Sequence, residues 1–191
     1  MLGLGLSFAT KGAKVLSYIK DSLKAYFRQY DTAPDFLLEG CVSFDGTNDY
    51  LDCGHALITG TGDFTFSAWV RVDTDIGSAR HIAGNYHADN LQGVQFGISS
   101  TEKFYLYSDG TNDYVTGGTT LSIGTWYHLT ATRSSNTGTV YVNGVSDATA
   151  SIDNDIQGDT NFLIGANPAE DFTGRMANIG IWNRALSASE I

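Results

Sequence analysis

Two prolines and two cysteines in 191 residues leave little to interrupt this chain or to staple it. A single cysteine pair cannot make the disulfide framework of a small secreted scaffold. No run approaches the roughly 18 apolar residues of a membrane span, so no spanning helix is expected. Cations are scarce, 11 Lys and Arg against 21 Asp and Glu, for a net charge of −10. They are also unevenly placed. Residues 1–30 hold Lys11, Lys14, Lys20, Lys24 and Arg28 against Asp21 alone, which leaves six cations and twenty acids for residues 31–191. A basic segment of +4 thus precedes an acidic one of −14. Binding nucleic acid requires clustered Lys or Arg to neutralise phosphates, so the acidic segment is excluded from that class. Met1–Ala9 (MLGLGLSFA) lacks the basic start and long apolar stretch of a secretory signal and reads as a retained arm.

The elements of catalysis are equally sparse. His55, His81, His87 and His128 are scattered, and no Ser or Cys stands in a context that would activate it. There is no Cys–His metal spacing and no phosphate loop. His128, in a core-type strand, reads as a structural residue with a satisfied ring nitrogen. The expectation is a protein that is not an enzyme.

What the chain has is glycine, 22 residues, and alternation. Residues 13–30 are the exception. There Leu16, Ile19, Leu23, Tyr26 and Tyr30 fall at 3-4-3-4 spacing, Phe27 widens the stripe, and the Lys and Arg residues lie off it. This predicts a short amphipathic helix closed by Asp31-Thr32-Ala33-Pro34. The helix could pack on its own domain, anchor or trimerise the protein, or lie on a membrane surface. The division expected is an arm and helix at 1–35 and a β domain at 36–191.

From Gly40 onward the pattern is that of strands. A hairpin is expected over 41–54, then strands at 64–73, near 79–85, 93–99, 103–108 and 113–117. Trp126–Arg133 and Thr139–Val142 follow, joined by a polar turn at Ser134–Gly138. Asn143-Gly144 is a strong type I′ turn signal, because both central positions need φ > 0. Residues 160–166 and 172–184 close the series, the latter alternating Met176, Asn178, Gly180 and Trp182 against Ala177, Ile179 and Ile181. About a dozen short strands make an all-β fold, a two-sheet antiparallel β-sandwich. In the first hairpin, pairing Phe44 with Tyr50 would set Cys41 opposite Cys53, where either a bridge or two reduced thiols fit; a cytoplasmically assembled protein favours the thiols. DGTNDY occurs twice, at 45–50 and 109–114, and is read as reuse of a good turn sequence. Trp69, Trp126 and Trp182 lie in apolar strands and are assigned to the core.

Four blocks, VSFDGTNDYLDCG (42–54), FTFSAWVRV (64–72), GTWYHLTATR with VYVNG (124–144) and FTGRMANIGIWNRALSASEI (172–191), resemble the laminin-G-like, concanavalin A-like lectin domains. The resemblance covers residues 40–191 and implies a jelly roll of that type. Glucanases share the fold and carry their acids on one strand as Glu-x-Asp-x-(x)-Glu. Glu39, Glu102, Glu170 and Glu190 stand in no such spacing. Domains of this kind often hold Ca²⁺ at a loop edge. Asp153, Asn154, Asp155 and Asp159 would supply such oxygens here, with Asp73 and Asp75 as a second set; calcium is the one cofactor implied. Sugar recognition needs an exposed aromatic platform with polar neighbours, and Tyr86, His87, Asp89 and Asn90 form a loop of that composition. Tyr105 and Tyr107 share one face of their strand and offer a platform.

A chain with a MLGLG-type start ahead of such a domain also resembles structural proteins of marine bacteriophages. This second resemblance implies a virion protein, held by its arm and helix to other virion proteins or to itself as a homo-oligomer such as a trimer, and displaying a lectin-like sandwich toward cell-surface polysaccharide. The alternative is an extracellular carbohydrate-binding or adhesion module.

Overall fold

A computed structural model describes residues 23–27 (as backbone), 40–75, 77–86, 93–108, 113–166 and 171–191. Thirteen strands follow one another: β1 (Leu23–Phe27), β2 (Val42–Asp45), β3 (Leu51–Asp52), β4 (Phe64–Val72), β5 (Arg80–Gly84), β6 (Val94–Ile98), β7 (Phe104–Ser108), β8 (Tyr114–Thr116), β9 (Trp126–Ser134), β10 (Thr137–Val142), β11 (Val145–Ser151), β12 (Leu163–Ile164) and β13 (Thr173–Trp182). They form two antiparallel sheets. One runs β1-β13-β4-β9-β10-β11, with β2 also on β13; the other runs β3-β12-β5-β6-β7-β8.

Alternation decides which face of each strand is buried. On β4, Phe64, Phe66, Ala68, Val70 and Val72 enter the core, while Trp69 on the opposite face is only partly buried. From the facing sheet, Val94, Phe96 and Ile98 of β6 and Phe104 and Leu106 of β7 meet them. Phe66 stacks on Phe96 at 4.5 Å between centroids, and Phe64 meets the same ring edge-on at 6.0 Å. The two sheets are joined by this seam of apolar side chains, as two-layer packing requires.

Several expectations give way here. Of the helix expected over 13–30, Leu23–Phe27 is strand β1, antiparallel to β13 with Tyr26 opposite Gly180 and Phe27 opposite Ile179. The edge of β13 beyond β2 presents unpaired backbone donors and acceptors, and a ladder satisfies them where a surface helix would not. Leu16, Ile19 and Tyr30 lie outside the described residues.

The hairpin expected over 41–54 is not one. β2 pairs β13 in one sheet and β3 pairs β12 in the other, so this segment crosses between layers. Its turn is held instead by Asp45, whose Oδ1 accepts from the Thr47 N–H at 2.8 Å, and by Asp49, whose Oδ2 accepts from the Asp45 N–H at 3.0 Å. Cys41 and Cys53 are accordingly not bridged, and each is partly buried. Burial, and then the neighbouring Asp52 carboxylate, push the Cys53 thiol up to about 11.

The turn expected at Ser134–Gly138 tightens to two residues, Ser135 and Asn136, both at positive φ (46° and 67°). Asn143 and Gly144 make the second such turn (53° and 77°), and they lead into β11, a strand the alternation did not reveal. On β13 the simple alternation fails at a bulge. The register shifts between Ala177 and Gly180, with Asn178 at φ 49°. One extra residue puts Met176, Ile179 and Ile181 all in the core, which strict period-two spacing forbids.

Candidate functional site

The outer face of the six-stranded sheet carries a cluster of tyrosines. β7 sends Phe104 and Leu106 inward, so Tyr105 and Tyr107 point out; β8 buries Val115, so Tyr114 and Thr116 point out. Register then aligns them in two rows. Gly97, Tyr105 and Thr116 stand side by side, and so do Gly84, Gln95, Tyr107 and Tyr114. Tyr105 and Tyr114 stack, 5.1 Å between centroids and 21° between planes. Tyr107 meets Tyr114 at 6.0 Å and Tyr86 at 5.4 Å, both edge-to-face. Tyr86, Tyr107 and Tyr114 therefore form a continuous series of rings across the sheet. Their exposure is graded, with Tyr114 43% accessible and Tyr105 only 3%.

Two features seat these rings. A side chain at Gly97 would collide with the Tyr105 ring, which lies flat over that glycine. Tyr86 emerges directly after Asn85, which is buried and fully engaged. The Asn85 amide donates to the Gln157 carbonyl at 2.9 Å, its Oδ1 accepts from the Val94 N–H at 3.2 Å, and its carbonyl accepts from the Thr160 hydroxyl at 2.6 Å. The base of the tyrosine series is thus clamped to the β11–β12 connection and to the first residue of β6.

Of the residues expected at a sugar site, the structure brings together Tyr86, Tyr105 and Tyr107; His87, Asp89 and Asn90 lie outside the described residues. It adds Tyr114, Gln95, Gly97 and Asn85. Tyr114 closes the second copy of DGTNDY, and Tyr50 closes the first and is 55% exposed. The two copies lead into β3 and β8, opposite edges of the same sheet, so the repeat does mark exposed tyrosines at both edges.

The loop acids are differently disposed. Asp153, Asp155 and Asp159 are exposed and Asn154 partly so, flanking the buried Ile152 and Ile156. The backbone N–H groups of Asp153 and Asn154 donate to Asp113 Oδ2 at 2.8 and 2.9 Å. Nearby, burial lowers the fully buried Arg133, against the opposing pull of Asp113, Asp63, Asp153 and Asp155. Asp73 is shared by Arg71 and Arg175, at 2.7 and 3.3 Å. Among the described residues no three His, Cys, Asp or Glu side chains gather to hold a metal ion.

On the opposite sheet, Ser67 Oγ lies 2.8 Å from His128 Nε2, and Thr130 donates to Ser67 at 3.2 Å. The His128 ring packs 5.5 Å from Trp69, and burial lowers its pKa. Among the described residues no carboxylate hydrogen-bonds this imidazole, so the pair lacks the orienting acid of a nucleophilic triad. His128 is the satisfied structural histidine expected from the sequence. Trp182 is buried, whereas Trp69 and Trp126 are only partly so, on the outer side of their sheet. A depression of about 470 Å³ near His55, Asp63, Trp182 and Asn183 has Phe64 and Trp182 in its wall, 2% and 5% accessible, and offers little to stack on.

A sequence profile of the concanavalin A-like lectin/glucanases superfamily matches residues 45–191. The chain belongs to that superfamily. Solved structures agree on the fold. The SAP-like heptameric pentraxin of Limulus polyphemus superposes with a TM-score of 0.62 at 16% identity, over 78% of each chain. A putative carbohydrate-binding protein of Bacteroides ovatus gives 0.62 at 19% identity over 77% of this chain and 44% of its own, so this lectin-like domain spans less than half of that protein. Domain 4 of AbnA, an extracellular arabinanase of Geobacillus stearothermophilus solved with arabinotriose, gives 0.62 at 17% identity, covering 79% of this chain and 74% of that one. No curated protein sequence matches the chain significantly.

Proposed function

We propose that this concanavalin A-like domain is a non-enzymatic saccharide-binding module whose ligand lies across Tyr86, Tyr107 and Tyr114. The observation that carries this reading is the series of partly exposed rings, 5.4 and 6.0 Å apart, on one sheet face. Aromatic rings cover the apolar face of a sugar while leaving polar groups wet at the rim. The B. ovatus protein and the arabinotriose-bound AbnA domain support the reading by likeness of fold.

Affinity electrophoresis in polysaccharide gels tests it, run in EDTA because the reading needs no calcium. Replacing Tyr107 and Tyr114 together by alanine should weaken retardation by roughly thirtyfold, the effect of losing about 2 kcal/mol at a central aromatic contact. Unfolding temperature should hold, since both rings lie on the outer face. Equal retardation of parent and variant on every retarding polymer would sink the assignment.

The wider setting proposed is a virion, with the basic residues 1–22 ahead of β1 attaching the module to other particle proteins or to further copies of itself. Lys11, Lys14 and Lys20 against Asp21 make that segment +2, opposite in sign to the −12 remainder, which favours this setting over a free extracellular module. Peptide mass spectrometry of purified particles checks it, and their lack of this chain would return the module to the extracellular reading.

A further inference from the structure

The outer face of the seven-stranded sheet carries a second constellation, built by register and independent of the tyrosine face. Ser43 of β2, Arg175 of β13, Arg71 of β4 and Trp126 of β9 are successive partners across four neighbouring strands. The residues beside them in sequence, Phe44, Met176, Val70 and Tyr127, pack into or against the core, so all four side chains stand on the outer face. Ser43 is exposed and the other three are partly exposed.

Like charges directly opposite each other on adjacent strands are destabilising, and Arg71 and Arg175 are such a pair. One carboxylate relieves them. Asp73, just past β4, donates its N–H to the Thr173 carbonyl at 3.5 Å, and its two oxygens lie 2.7 Å from Arg71 Nε and 3.3 Å from Arg175 Nε. Both contacts are made at Nε. The Nη groups of the two guanidiniums have no hydrogen-bond acceptor among the described residues, and the side chains are 25% and 35% accessible. Two positive charges are thus bridged by one negative charge, with the forked ends of both guanidiniums left open. Asp45 stands one row further along β2, opposite Thr173, and its Oδ1 is engaged by the Thr47 N–H at 2.8 Å.

A guanidinium fork matches the two oxygens of a carboxylate in one plane. On one side of the pair the Trp126 indole offers a flat apolar surface of the kind that covers a sugar ring. On the other side the Ser43 hydroxyl can donate or accept. Neighbouring strands are about 4.8 Å apart, so hydroxyl, cations and ring stand within about 14 Å of one another along the row. We infer that this row is a second binding site, for the carboxylate-bearing sugar of an acidic polysaccharide, with the carboxylate on Arg71 and Arg175 and the sugar ring against Trp126.

The test runs the full chain through affinity gels containing polygalacturonate or alginate, the methyl ester of each, or polyglutamate. At least one uronate polymer should retard the chain at low salt, and added salt should weaken that retardation because the site is open to solvent. The methyl ester, with the same backbone and no charge, should retard at least about tenfold less, equivalent to roughly 1.4 kcal/mol. Arg175→Gln should cause a similar loss at an unchanged unfolding temperature. Asp73→Asn, which removes the competing carboxylate, should tighten binding; a cluster that only holds the strands together would give neither shift. Replacing Tyr107 and Tyr114 by alanine should leave this retardation intact, which separates the row from the tyrosine face. No retardation by either uronate, equal retardation by the esters, equal retardation of parent and Arg175→Gln, or a loss in Asp73→Asn overturns the inference. Polyglutamate as effective as the uronates overturns it in favour of an acidic protein segment.

Discussion

Arg80→Ala should cost the fold about 3–5 kcal/mol, the range for removing one member of a buried ion pair. The Arg80 side chain is completely inaccessible, and its two Nη groups donate to the two carboxylate oxygens of Glu102, each at 2.9 Å. One of them also reaches the Thr74 carbonyl at 3.2 Å and Asp75 at 3.3 Å. Alanine would leave the Glu102 carboxylate, 14% accessible, without its fork of donors. The consequence reaches the tyrosine face, because Glu102 sits at φ 60° in the turn between β6 and β7. That turn sets the register that brings Gln95 beside Tyr107 and Gly97 beneath Tyr105. Urea unfolding should show a lower midpoint at unchanged slope. Arg80→Lys should recover little, since a point charge cannot bind both oxygens in a plane. Replacing Arg80 by Met together with Glu102 by Leu should recover most of the loss. A cost under about 1 kcal/mol for Arg80→Ala, the value of an exposed pair, would show that the fork does not hold this turn.

Acid should be the second strong perturbation, acting first through His81. Its imidazole is fully buried, and desolvation holds its pKa near 3, against 6.5 in an exposed setting. Between those values the unfolded chain carries a proton that the folded chain refuses. Stability is therefore complete above about pH 6.5 and falls as pH drops toward 3, by up to about 1.4 kcal/mol per pH unit. His128, lowered by burial, acts in the same direction. Glu190 adds a later loss. Hydrogen bonds from Arg184, then from Ser187, hold it down to about 2, so its contribution fades as pH falls from 4.5 toward that value. Asp171, raised mainly by burial, opposes these in the carboxylate range. Urea midpoints at pH 7 and pH 4 should fall steeply in the parent and less steeply in His81→Gln. The same slope in both proteins would remove His81 as the source.

How much of this was readable in advance depended on range. The face of β4 was legible residue by residue, because Phe64, Phe66, Ala68 and Val70 need only period-two geometry to reach one side. Tyr105 and Tyr107 were legible as a shared face for the same reason. Tyr114 was hidden because its partner ring belongs to another strand, and stacking on Tyr105 depends on cross-strand register. Gly97 carries no sequence signal of its role, since the space it leaves matters only once Tyr105 is laid over it. The segment around Leu23 and Tyr26 misled because 3-4 spacing describes a helix that the free edge of β13 outcompetes.

Local chemistry in the sequence, meaning alternation, turn residues and the four motif blocks, determined an all-β sandwich of the concanavalin A-like kind with the type I′ turn at Asn143-Gly144. Those signals act over a few residues, through backbone torsion and the pleat, and each can be read where it stands. Tertiary structure alone decided that β2 and β3 belong to different sheets, that a bulge on β13 turns Met176 and Ile179 to the same core, and that Tyr86, Tyr107 and Tyr114 meet. Each of these is a contact between segments distant in sequence, chosen by which edge was free and which faces could bury apolar surface together, and no local pattern encodes that choice.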